Sequence, residues 1–73
     1  MKPEDHEERF GEMAQRKGYI SWIELLEALE LQIEENTQKG ELRFIGEILC
    51  DLNYITKLEL RDVLESIAIE RNS

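Results

Sequence analysis

The sequence predicts an all-α fold: four short helices arranged as two tandem helix-turn-helix repeats. Three observations carry that expectation. The chain contains itself twice, apolar residues recur at helical spacing in each segment, and helix stop and start signals fall at matching places in both copies. Phe10–Gln32 aligns with Ile45–Ile67 at an offset of 35 residues without a gap, and eight of the 23 positions are identical. The identities include Gly11/Gly46, Tyr19/Tyr54, Ile20/Ile55, Leu25/Leu60 and Leu29/Leu64. An internal repeat of this length marks one supersecondary unit used twice.

The first helix is expected from about Glu4 to Lys17, ending at Gly18, which can take the left-handed conformation of a helix C-terminus. Tyr19 and Ile20 form a link too short for a strand. Ser21 and Glu24 then spell a capping box, S-x-x-E, that satisfies free N–H groups at the next helix start. In that second helix Leu25, Leu26, Leu29 and Ile33 share one face, and the pattern carries it to about Glu35. Asn36–Gly40 is polar and turn-rich, so residues 36–41 are expected to link the copies.

The second copy repeats these signals. A helix from about Leu42 to Leu52 carries Ile45, Ile48, Leu49 and Leu52 on one stripe. Asn53 stands where the first copy has Gly18, and Asn is the next best residue there. Thr56 and Glu59 make a second capping box. Leu60, Val63, Leu64 and Ile67 continue the last helix to about Glu70, beyond which Arg71, Asn72 and Ser73 should fray. The organisation expected is a single domain over residues 1–73, with repeat 1 at about 4–35 and repeat 2 at about 42–70.

Composition narrows the function. The 73 residues carry nine Lys and Arg against seventeen Asp and Glu, a formal charge of −8. That length holds one small domain, which excludes a self-contained kinase, dehydrogenase or ATPase. The charge opposes approach to a nucleic-acid backbone, so a helix-turn-helix DNA-binding protein is disfavoured. No uncharged run approaches the ~18 residues of a membrane span, so no membrane insertion is expected. The first ten residues, with six charged side chains, do not read as a signal peptide. One cysteine fits a reducing, cytoplasmic setting. A chain this small buries only ~60% of its unfolded surface, so help from a partner or a second copy is in keeping with its size.

No catalytic residue is expected. Cys50 lies off its helix's apolar stripe and lacks a His–acid arrangement, so it does not read as a nucleophile. His6 sits alone among acids, and Asp5, His6 and Glu8 lack a second His or Cys to complete a metal site. No metal and no cofactor follow from the sequence. Arg9 is placed to pair with Asp5 or Glu12 at helical spacing. Gly11 and Gly46 recur inside helices, where glycine costs ~1 kcal/mol against alanine, which suggests a close approach by a neighbouring helix or a ligand. Tyr19 and Tyr54 are expected to pack between repeats. Ile23, Leu31, Leu58 and Ile69 lie off the main stripes and could widen the core or form an external apolar patch, with the recurrence of Ile23/Leu58 favouring a structural role. Trp22 has Lys57 as its counterpart, so its place need not be core. It and Ile23 are the candidate partner-binding residues.

Arg9-Phe10-Gly11, then Gly18, Leu25, Leu29 and Gln32, resembles the motif R-L-G-x-x-L-x-x-x-G-x6-L-x3-L-x2-Q. Tandem copies of it are similar to the N-terminal helical domain of type II secretion and type IV pilus assembly ATPases, whose MshEN branch binds cyclic di-GMP. The resemblance spans residues 9 to 67. It implies a bacterial docking domain for a motor, or a cyclic di-GMP site drawing on Arg9, Phe10, Gly11, Gly18, Leu25, Leu29, Gln32, Ile45 and Gly46. In such a site leucines would cover the purines and arginine would stack on or fork to guanine. This chain departs from the pattern at Phe10 and Ala14, and the second copy at Phe44, Asn53 and Ile67, which stand for Arg, Gly and Gln. Arg43 lies one residue early, about 100° away if helical. The chain has no G-x-x-x-x-G-K-[ST] and so is not itself the motor.

The function expected from the sequence is therefore a small acidic interaction or regulatory module docking on a protein, with self-association open and basic residues expected on the partner's surface. Cyclic di-GMP sensing is the alternative.

Overall fold

The computed structural model describes residues 3–72, with side chains from 8 to 70. Asp5 and His6, as candidate ion-pair or metal partners, and Ser73 lie outside the described side chains. The described chain is all helical: α1 is Pro3–Arg16, α2 Trp22–Lys39, α3 Ile45–Asp51 and α4 Lys57–Asn72. The last helix thus continues past Glu70 to Asn72.

Matching sequence signals build matching geometry. Gly18 has φ 80° and Asn53 φ 64°, both left-handed. At the first turn the Gly18 N–H donates to the Gln15 carbonyl and the Tyr19 N–H to that of Ala14, each at 2.9 Å. The second turn repeats both bonds at the same length, Asn53 to Cys50 and Tyr54 to Leu49. This is the Schellman arrangement, which satisfies carbonyls the helix leaves over. Both capping boxes form. Glu24 N–H reaches Ser21 Oγ at 3.1 Å and Ser21 N–H reaches Glu24 Oε1 at 2.8 Å. Glu59 and Thr56 do the same at 3.1 and 2.9 Å.

The join between copies differs from the sequence expectation. Helix α2 does not stop near Glu35 but runs to Lys39, because nothing before Gly40 breaks it. Gly40 takes φ 68° and its N–H caps the Asn36 carbonyl. Helix α3 starts at Ile45, not Leu42, and is only seven residues long. The lost turn has its cause in contacts with α2. Gln32 Nε2 donates to the Arg43 carbonyl at 2.8 Å, and Arg43 grips Glu35 with Nε and Nη2 at 2.9 and 2.8 Å. A further bond joins Arg43 to Asp51. These contacts tie an extended link to α2, so the rotation expected of a helical Arg43 does not apply.

Corresponding positions fill one core. Phe10/Ile45, Ala14/Leu49, Ile20/Ile55, Ala28/Val63 and Gln32/Ile67 are all buried pairs at the 35-residue offset. Helix α2 packs mainly on α3, α1 mainly on α4, and α1 also meets α3. Each copy's longer second helix therefore lies across the other copy's first helix. The tyrosines show the same reciprocity: the Tyr19 hydroxyl donates to Asp62 at 2.5 Å, and that of Tyr54 to Glu27, the position corresponding to Asp62. The two copies exchange equivalent contacts like subunits of an isologous dimer. The molecule is 19 Å in its shortest dimension, two helices thick.

Candidate interaction surface

The motif residues are largely engaged inside the fold. Phe10 and Ile45 are fully buried, Gly11, Gly46, Leu25 and Gln32 are buried, and Leu29 is half-buried. A side chain added at Gly11 would meet the Leu25 methyls at 3.0 Å, and one at Gly46 would meet Leu60, Phe44 and Phe10. The close approach at both glycines is thus made by the chain's own side chains. Gly18 is exposed in its turn, with open space around its Cα. Arg9 is exposed and pairs with Glu70 on α4 at 3.1 Å. The structure brings Phe10, Ile45 and Gly46 together in the core, while Gly18 stands apart at its turn.

On α2 the buried face is Leu25, Ala28 and Gln32. The apolar stripe read from the sequence is therefore divided. Leu25 turns in and Leu29 sits at the edge, but Leu26 and Ile33 are 39% and 64% exposed. Trp22 is 57% exposed. Residues 22, 26, 29 and 33 follow the 4-3-4 spacing of a coiled-coil seam and fall within about 60° of arc. Ile23 and Leu58 are 68% and 77% exposed, so this recurring pair is not a core pair. The seam was missed in the sequence because its residues border the core stripe, and only burial separates the two.

The corresponding stripe of α4 is Lys57, Arg61, Leu64 and Ala68. It lines a groove of about 710 Å³ against α3, with Cys50 and Leu60 also on its wall. Cys50 is half-buried and packs against the core, not away from it as its helix position suggested. Burial pushes its thiol pKa up, which disfavours the reactive thiolate. Nothing about this geometry activates a nucleophile.

Charged partners set the pH response. The Tyr19 hydroxyl, and after it Lys17 at 3.2 Å, hold Asp62 below the usual carboxylate range; Arg43 does the same for Glu35. Their contribution is complete above the unfolded carboxylate pKa of ~4 and is lost as pH falls through the folded values. The hydrogen bonds to Asp62 and Glu27 raise Tyr19 and Tyr54. That contribution is complete below pH ~10 and is lost as pH rises through the folded values. We therefore expect a urea midpoint that is level across neutral pH and falls at both extremes. In the double variant Tyr19→Phe/Tyr54→Phe the alkaline fall should shrink; an unchanged alkaline limb would show that the two hydroxyls do not couple to folding.

No family model, curated protein or solved structure matches the chain in the comparisons made. No helix among the described residues is long and apolar enough to cross a membrane.

Proposed function

We propose that the chain is a protein-interaction module that docks on a partner through α2 and does no chemistry itself. The observation that carries this reading is the exposed seam Trp22–Leu26–Ile33 on a molecule whose core is already filled. The repeat supplies the control. At the corresponding places α4 has Lys57, Arg61 and Ala68, and the same fold forms, so folding does not require large apolar groups there. Exposed apolar residues are ordinary one by one; aligned along one helix around an aromatic anchor they suit an interface. Docking would then be hydrophobic contact plus charge steering from the acidic surface.

The reading agrees with the resemblance to secretion and pilus ATPase N-terminal domains, whose implied task is to dock a motor, and with a cytoplasmic setting. A cyclic di-GMP site would need Leu25 and Leu60 to leave Gly11 and Gly46, so the nucleotide reading is the weaker one. To test docking, a photo-reactive residue is placed at position 22 or 33, and in separate variants at 57 or 68, in the native cell. Crosslinks to one defined protein from 22 and 33 but not from 57 and 68 are expected. Equal yields from both sets would overturn the reading.

A further inference from the structure

We infer that the occupant of the α2 seam is a basic amphipathic helix; this rests on the docking reading and specifies its partner. Residues 22, 26, 29 and 33 make a narrow, straight apolar strip along one helix, a shape that a partner helix laid alongside fills with its own side chains at intervals of four and three. Twelve residues of α2 make a contact about 18 Å long, some three turns of a partner helix.

The charges beside the seam determine the partner's chemistry. Glu30 borders it and Glu34 lies one step further round the same side; both are exposed. On α1, Glu8 and Glu12 line a depression together with Arg9, Arg16 and Glu70, so their charge is met locally. Glu12 pairs there with Arg16 at 3.3 Å, whereas Glu30 and Glu34 enter none of the ion pairs among the described residues. The apolar strip is thus flanked on one side by two exposed carboxylates, Glu30 and Glu34, on a protein of charge −8.

A second copy laid antiparallel, α2 against α2, would set the Glu30–Glu34 flank against its own kind, at a cost in a coiled-coil-like contact. A helix with lysine or arginine beside its apolar seam would instead gain from every flanking carboxylate. The corresponding stripe on α4 differs in just this respect. Lys57 and Arg61 replace apolar residues there, so a cationic helix is accepted on one repeat and refused on the other.

The test uses the isotope-labelled 73-residue chain and two synthetic helices sharing a leucine seam, one flanked by lysine and one by glutamate. The lysine helix is expected to give saturable amide shifts centred on Trp22, Leu26 and Ile33, with the Trp22 indole N–H among them. Leu26→Gln/Ile33→Ala leaves the charge unchanged and should weaken binding on the order of tenfold. Ile33→Ala alone, which installs the residue α4 already carries, guards against a folding defect in the pair.

Shifts spread over every acidic face and unaffected by these variants would overturn the inference, since charge alone would explain them. Equal binding of the glutamate helix would overturn the basic partner while leaving docking intact. No saturable shift with either helix would also overturn it, and crosslinking from position 22 would then decide separately whether α2 docks at all.

Discussion

Phe10→Ala is expected to cost about 3–5 kcal/mol, the usual range for deleting a fully buried aromatic side chain. Phe10 is entirely buried, stands edge-on to Phe44 with ring centroids 5.1 Å apart, and its ring tip closes over Gly46. It therefore joins the two copies within the core cluster of the described residues. A domain of this size has roughly 4–11 kcal/mol in total, so the variant should lose a large fraction of its stability. Phe10→Leu keeps most of the volume and should cost less than about 1.5 kcal/mol. Urea titrations followed by helical circular dichroism measure both. A Phe10→Ala loss below about 1 kcal/mol would mean that the ring does not sit where the structure places it.

How much of this was legible in the sequence follows from which signals are local. Helix stops and starts depend on a residue and its near neighbours, so Gly18, Asn53, Ser21–Glu24 and Thr56–Glu59 announced themselves. The duplication announced that the two halves would be alike. The join was misread because Asn36, Thr37 and Gln38 resemble a turn by composition, whereas the helix ends only where Gly40 allows a left-handed residue. The late start of α3 depends on Gln32 and Arg43 meeting across eleven positions, which no local window contains.

The candidate surface was half legible for a related reason. Trp22 stood out because its counterpart is Lys57, a comparison made within the sequence itself. Leu26 and Ile33 were grouped with Leu25 and Leu29 because helical spacing gives direction but not depth. The same limit leaves Ile23 and Leu58 open between core and external patch, where recurrence favours a structural role, and it places Cys50 outside by its angle. Recurrence shows that a residue is tolerated twice. It does not show that it is buried twice.

The two recurring glycines should separate in sign when mutated, although their sequence contexts match. At Gly46 an added Cβ would lie 2.6 Å from Leu60 Cδ1, 2.6 Å from Phe44 Cε2 and 2.9 Å from Phe10 Cζ. Phe10 is fully buried and stands edge-on to Phe44, so the two rings restrain each other and the three neighbours do not all yield cheaply. Overpacking of this kind costs about 1–3 kcal/mol, and α3 recovers at most ~1 from the better helix residue. Gly46→Ala is therefore expected to lose up to about 2 kcal/mol. At Gly11 the neighbours at 3.0 Å are the two methyls of Leu25 alone, the flexible end of one side chain. A small rotation there relieves the contact, so the gain in helix propensity in α1 should leave Gly11→Ala between neutral and about 1 kcal/mol more stable. Urea midpoints for the two variants give the comparison directly. Losses of equal size at both positions would mean that Leu25 is held as firmly as the Phe10–Phe44 pair, and that the copies pack more symmetrically than their side chains indicate.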